Sequence, residues 1–460
     1  MALAVLVTVA LGVLSASGSH SSCGRDDVES ACPAAPVGPG GEAVNDHFFF
    51  VHRSLTGDGS ITARVSSMTG RIRLPDERPG VRRETEGLVP WAKAGLMVKD
   101  GVRQGSSYAA VMLTGDHGVR MQYDFTHDIP GEPGGSPRWL RLTRTGDTLT
   151  GYSSADGVTW AKAGEVRLPA LPDTVRAGLF AASPGDLTVT RADFGGSIVA
   201  DRFSETTGVF DQVGLTGGAS GDWRHDDVGV DRGPDGQPHH PGRFSRAGGT
   251  FSVTGVGDVG PLGDGTRIEA PLTGVLAGLI AVITVAALFM TAEYRRGLIR
   301  TTLVASPRRG RVLAAKALVI GAVAFVAGLV AAGVTVPAGV RILRANGNVV
   351  LPVSTFTEVR VVAGVAALFA VTAVLAVALG ALLRGSAAAV TTALALVVLP
   401  HILATASVLP VGVSQWLLRL TPAAGFAVQQ SIPEYAHVLG YYSPQAGYYP
   451  LPPWAGLAVS

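Results

Sequence analysis

Charge is scarce in this chain. Of 460 residues only 16% are Asp, Glu, Lys or Arg, whereas 47% are hydrophobic. A soluble domain carries about a quarter of its residues as charges, so part of this chain must be solvated by lipid. Lysine is rarer still, confined to Lys93, Lys99, Lys162 and Lys316. Each is followed by Ala or Asp, whereas a phosphate-binding P-loop ends in Lys followed by Ser or Thr, so nucleotide hydrolysis through that motif is excluded. Two cysteines, Cys23 and Cys32, are too few for a four-cysteine zinc site or a disulfide framework. On an oxidising side of a membrane they could close one small loop, and an unpaired state is equally open. A net charge of +2 excludes the chain-wide polycation that binds nucleic acid.

What is abundant is unevenly placed. Residues 272–292, 317–336, 361–383 and 387–409 contain no Lys, Arg, Asp or Glu. Each is long enough to span, since a helix needs about 20 apolar residues to cross the hydrocarbon core. Residues 1–17 form a fifth, shorter run. It has no basic lead-in, the first Lys or Arg being Arg25, and the residues before Cys23 lack a lipoprotein pattern. We read it as the outer part of a first span whose lead-in is absent, ahead of a cleaved signal. The stretch between the second and third spans carries Arg295, Arg296, Arg300, Arg308, Arg309, Arg311 and Lys316 against the single acid Glu293, which marks it as cytoplasmic. Residues 18–271 then lie outside the cell, 337–360 form an outer loop, Arg384 to Ser386 a short inner turn, and 410–453 an outer tail rich in tyrosine. The apolar start at Trp454 reads as a sixth span cut short.

Between residues 46 and 194 short alternating apolar stretches are punctuated by Gly, Pro, Asp and Asn, which is the pattern of strands. Expected strands cover 47–52, 60–65, 94–98, 107–113, 118–125, 138–143, 148–153, 175–182 and 187–194, with hairpin turns at Thr145-Gly-Asp147 and Asp156-Gly157, the latter with Trp160 packed beneath it. Many short antiparallel strands with one apolar face need a second sheet, so an all-β sandwich follows. The motifs Ala94-Gly-Leu-Met-Val98, Trp139-Leu-Arg-Leu142, Tyr152-Ser-Ser-Ala-Asp-Gly-Val-Thr-Trp160 and Val175-Arg-Ala-Gly-Leu-Phe180 resemble successive strands of concanavalin-like (laminin-G-like) jelly rolls. The resemblance implies a jelly-roll sandwich, and members of that group bind or hydrolyse glycans. Residues 195–271 have a similar Gly-rich β texture, as an extension or a partial second copy.

Several side chains are candidates for chemistry. Asp124, Asp128, Glu132, Asp156 and Glu165 are the carboxylates available for a glycosidase pair, but acids in turns of a β domain are normally solvated. His239 and His240 with Asp226 and Asp227 lack metal-binding spacing, so no metal or other cofactor is expected. His401 is the only titratable group inside the clear spans, which makes it a pathway candidate. The basic stretch from Glu293 to Lys316 reads as an amphipathic helix at the inner surface, ended by Ser306-Pro307. Its sequence resembles the first cytoplasmic loop of ABC-2 type ABC-transporter permeases, with Glu293, Tyr294, Arg295, Arg296, Gly297, Arg300, Thr301, Pro307, Arg311 and Lys316 at the corresponding positions. The segment Trp416-Leu-Leu-Arg-Leu-Thr-Pro-Ala-Ala-Gly-Phe426 is similar to the outer re-entrant region of that family.

The resemblance implies a plasma-membrane permease subunit with five visible spans, powered by a separate ATP-binding subunit, working as a homodimer or paired permease and most commonly exporting its substrate. Its expected divisions are a partial first span at 1–17, a linker at 18–45, a β-sandwich at 46–194, a Gly-rich β extension at 195–271 and the membrane domain at 272–460. The rival reading is a membrane-anchored extracellular module for a glycan or protein ligand.

Overall fold

The computed structural model describes residues 1–23, 32–75, 83–191, 197–232, 238–263, 265–297 and 308–460. The strands that build the sheet domain are β1 (Phe48–Leu74), β2 (Lys93–Lys99), β3 (Tyr108–Thr114), β4 (Val119–Tyr123), β5 (His127–Pro130), β6 (Arg138–Thr145), β7 (Thr148–Ser154), β8 (Ala161–Arg167), β9 (Thr174–Ala182), β10 (Ser204–Val228), β11 (Arg243–Ala247) and β12 (Thr250–Gly255). Their main path is β8-β7-β6-β1-β9-β2-β3-β4-β5, all antiparallel where they pair.

The sequence suggested separate strands at 47–52 and 60–65. Instead β1 runs unbroken for 27 residues. It pairs with β9 through Thr56 and with β6 from Gly59 onward, so one strand serves both layers. The partner changes across Gly57, whose φ of +65° is left-handed and open to glycine without steric cost. The layers meet through one core that includes Val51, Ile61, Val65, Leu96, Val111, Met121, Leu140, Leu142 and Leu149. Close approach is visible at Gly151 on β7, where a Cβ would lie 3.1 Å from Met121 Sδ and 3.3 Å from Val111 Cβ. β10 follows β1 along nearly its whole length and carries β12, so the strands after Phe203 add to the same sheet. The expected strand at 187–194 is seen as Asp186–Arg191, paired with Ser197–Arg202. Phe194 and the division at 194/195 lie outside the described residues.

The other face of β9, β2 and β3 is covered too. Phe48, Phe50, Met97, Tyr108, Met112, Phe125 and Phe180 form a second core there. Each such side chain contributes roughly 1.5–3 kcal/mol by leaving water. The cover is the chain itself, arriving through Val44–Asp46 and leaving through Val259–Pro261, which pair antiparallel. Because the alternation of β2 sends Lys93 and Lys99 to this covered side, both are fully buried. Lys93 pairs with Asp258 and donates to Val259 O at 2.7 Å. Lys99 reaches Asp46 Oδ2 at 2.8 Å and Ser106 O at 2.9 Å.

The helical part comprises α1 (Ala2–Gly18), α2 (Val275–Arg295), α3 (Arg309–Ala345), α4 (Thr355–Leu383), α5 (Ser386–Thr405), α6 (Val411–Leu420) and α7 (Pro453–Val459). Among the described residues α2 to α5 are long and apolar enough to cross a membrane, and α1 is a shorter apolar helix. Their outward faces remain apolar, as at Ile280, Leu288, Leu318, Val326, Val334 and Phe356, which water would not tolerate as a continuous surface. Inside, α1 presents Ala4, Thr8, Gly12 and Ala16, four residues apart, to α2 and α3. A Cβ on Gly12 would sit 2.4 Å from Pro271 O, so the close approach requires glycine.

Two boundaries correct the sequence reading. The apolar run at 317–336 is expected to end at Val336, yet α3 continues through Pro337 to Ala345. Proline costs one backbone hydrogen bond, which packing can offset. At about 1.5 Å per residue its 37 residues reach beyond the hydrocarbon core. The apolar run at 387–409, expected to reach Leu409, stops as α5 at Thr405. The α4–α5 connection is the short hairpin expected, with Arg384 in the left-handed region at φ +59°.

Candidate functional site

The two ends of the bundle differ in chemistry. At the end away from the sheet domain, α2 ends at Arg295 and Gly297 turns the chain at φ +67°. Glu293 forms an ion pair with Lys316, which ties the last turn of α2 to α3. The Lys316 ammonium also lies 5.6 Å from the Phe289 ring centre. Tyr294 donates its hydroxyl to Ala381 O of α4 at 3.3 Å, and the Arg384 guanidinium lies 5.9 Å from its ring centre. Three helices are thus joined at this junction. Arg295, Arg296, Arg308 and Arg311 remain exposed around it. Arg300, Thr301 and Pro307, with the rest of the expected amphipathic stretch from Leu298, lie outside the described residues.

At the opposite end α1, α3 and the sheet domain converge. Asn346 Nδ2, just past α3, donates to Ala16 O at 3.2 Å and Ser19 O at 3.2 Å. Cys23 and Cys32 are joined in a disulfide beyond it. A strap over residues 430–449 connects bundle to sheet. Arg360, at the start of α4, donates to Gln430 O at 2.7 Å, and Glu269 Oε1 accepts from Ser431 N at 3.1 Å. Further along, His437 Nε2 donates to Phe125 O at 2.8 Å, while Trp91 stands between His117 and His437 at centroid distances of 4.0 and 6.5 Å. Sequence reasoning missed this strap. The available signals were Glu269 and Arg360, charges placed at the very ends of apolar runs.

His401 sits on α5 with its ring stacked 3.7 Å from that of Phe426 and 6.4 Å from that of Tyr449. Its Nδ1 is buried with no partner among the described residues. Phe426 belongs to the 3-10 segment Pro422–Gln429 after α6, so the segment singled out at 416–426 forms one wall around the histidine.

The carboxylates considered for glycosidase chemistry are dispersed among structural partners. Asp124 accepts from Ser107 Oγ at 2.5 Å, Asp128 pairs with Arg120, Glu132 with Arg138 at 3.2 Å and Glu165 with Lys162 at 2.8 Å. Asp156 accepts the backbone N–H groups of Val158 and Thr159, both at 2.8 Å, and these bonds hold its carboxyl well below the usual range. The ring against Gly157 is that of Trp139, not Trp160, because register places Trp139 opposite Ser154. Trp160 instead lies under the Arg141 guanidinium at 3.9 Å. Among the described residues no group of three or more His, Cys, Asp or Glu is placed to hold a metal ion. Asp226 bonds His52 at 2.7 Å, while Asp227 accepts from Gly242 N at 3.0 Å.

A family model described as ABC-2 family transporter protein matches residues 98–456, well over half of the chain. No curated protein matches the sequence. Among solved structures, SCP-B, a member of the eqolisin family of peptidases in a complex with a tripeptide, is 11% identical and covers 45% of this chain and 98% of its own, with a TM-score of 0.27. A functionally unknown protein from Saccharomyces cerevisiae is 14% identical and covers 36% of this chain and 72% of its own, with a TM-score of 0.20. Likenesses that slight carry no argument. The match over residues 98–456 and the bundle of apolar helices lead to one conclusion: this chain belongs to the ABC-2 family of transporter proteins, as a multi-pass membrane permease.

Proposed function

We propose that this permease exports its substrate with energy from a separate ATP-binding subunit, and that the basic junction between α2 and α3 is where that subunit grips. The observation that carries the reading is the joining of three helices at that junction. Glu293 and Lys316 link α2 to α3, and Tyr294 links α2 to α4. A push on the surrounding arginines would therefore be shared by all three. The positive-inside rule supports a cytoplasmic position for this end, and in this reading the sheet domain lies at the outer surface of the plasma membrane. His401, enclosed by Phe426 and Tyr449, is the pathway residue of the proposal. Pairing, as a homodimer or with a second permease, and the five-part division of the chain belong to the same proposal.

The test is co-purification. Arg295→Glu with Arg296→Glu and Arg300→Glu should release a co-expressed ATP-binding subunit while the permease still elutes as one species. Retention of the ATPase would remove the grip from this junction. Labelling of Arg300→Cys only from the outside would invert the topology.

A second reading makes the helices an anchor for a glycan- or ligand-binding module. In its favour is a cleft of about 480 Å³ on the sheet domain, lined by His52, Arg176, Trp223, His225 and Asp226. In that case the charge reversals leave partner binding untouched, and a polysaccharide panel finds a ligand lost with Trp223→Ala.

A further inference from the structure

A cavity of about 720 Å³ lies where the sheet domain meets the strap. That is within the range of small-ligand sites, roughly 300–1,000 Å³. Separate stretches of chain build it: the region around His47, the hairpin of Asp186–Arg191 and Ser197–Arg202, the linker to α2 that carries Arg267, and the strap. Much of its wall is apolar or aromatic, with Val199, Phe203, Leu262, Val438 and Leu439 among the lining residues.

The charges on that wall are unequal in their commitments. Asp258 is taken by Lys93, Arg202 by Asp186, and Asp201 lies against Gly185. Arg267 donates to Ala446 O at 3.0 Å, and its guanidinium lies 4.1 Å from the centre of the Tyr448 ring. Glu269, two residues along, receives Ser431 N–H. Arg267 is therefore held by a carbonyl and an aromatic face, with the Glu269 carboxylate as the charge near it, and its five N–H donors exceed the bond to Ala446.

We propose that this cavity binds an amphipathic anion, a phosphate ester or carboxylate carried on an apolar tail. Arg267 is the counter-ion, and Leu262, Val438 and Leu439 are the surface for the tail. The site adjoins the 3-10 turn Ala270–Gly274 that leads into α2, so the tail lies beside the ends of the membrane-crossing helices. The inference does not rest on the ATPase junction.

Binding is measured by calorimetry on the full chain in phosphatidylcholine nanodiscs, with dihexanoyl phosphatidic acid, inorganic phosphate and dihexanoyl phosphatidylcholine as probes. Phosphatidic acid should bind at least about tenfold more tightly than either of the others, and Arg267→Gln should remove about tenfold of that affinity. Val199 is exposed on the hairpin, so its substitution leaves the cores alone. Val199→Asp should weaken the anion and Val199→Lys strengthen it, each by severalfold. Equal binding of inorganic phosphate would overturn the amphipath, and equal binding of the zwitterion would overturn the anion. A Val199 series without effect would remove the cavity as the site, whatever the stability of Arg267→Gln.

Discussion

In the sheet domain two lysines are sunk out of water, each against its own aspartate, whereas the interior of the bundle is apolar and built mostly of Ala and Val, with charges kept to the helix ends. The difference follows from geometry. A strand sends alternate residues to opposite faces, so covering both faces of β2 buries whatever the register puts there. A helix offers a stripe instead, and small residues along it let backbones close up without any polar side chain between them. The sheet domain is thus vulnerable to the loss of a partner, the bundle to the gain of an atom.

Four experiments would break or sharpen that contrast. Lys99→Met leaves the Asp46 carboxylate buried beside Ser106 and Gly105 with its counter-ion gone, at a cost of about 3–5 kcal/mol. Burial already pushes the Asp46 carboxyl up and the Lys99 ammonium down. Thermal unfolding followed by tryptophan fluorescence should show a large drop, and adding Asp46→Leu should recover most of it. A single and a double variant equally unstable would mean that packing, not the charge, is what matters there.

The bundle's counterpart is Gly12→Leu, which drives a side chain into Pro271 O and Thr335 and costs roughly 1–3 kcal/mol by overpacking. Detachment of α1 would appear as new protease sensitivity near Gly18, with the sheet transition unmoved. A normal melting curve and an intact α1 would show the contact to be looser than the distances imply.

Between the two regions the strap should respond to acid. Burial holds the His437 imidazole below its ordinary value, partly offset by the bond to Phe125 O, with Lys93, Asp128 and Asp258 as neighbouring charges. The unfolded group titrates near 6.5 and the folded one lower, so just below about pH 6.5 the unfolded chain binds more protons. Stability is full above that window and falls as pH drops through it. His437→Gln keeps a donor and should flatten part of the slope, leaving the share of His52, which burial also lowers. An unchanged slope would remove His437 from the account.

A smaller effect on stability than at the fully buried Lys99 pair is expected at the inner junction. The Lys316 and Glu293 side chains are only 14% and 21% exposed, so Lys316→Met strands a mostly covered carboxylate and should cost about 1–3 kcal/mol. On the proposed function its consequence should also show in substrate-linked ATPase rates. A large loss of stability with normal coupling would make the pair structural only.

The apolar runs were readable because lipid demands length and absence of charge, conditions visible in one dimension. The strand pattern was readable wherever Gly or Pro stops a run, as at Gly146. It failed at Gly57, which looked like a break and is where one continuous strand changes partner. Trp139 and Trp160 exchanged roles for a related reason, since strand register fixes which ring lies under a turn. Of the site, the arginine-rich junction showed in composition, while the bond from Tyr294 to Ala381 did not, because the two residues are 87 positions apart.

Sequence alone determined that this chain has two solvents, a basic turn between two spans and no P-loop, since each depends on residue type and local spacing. Only tertiary structure decided that Lys93 and Lys99 are buried, that the strap binds sheet to bundle, and that a cavity opens between them. Those features require groups distant along the chain to meet, and the energy that selects such meetings is the burial of shared surface rather than any property of a single segment.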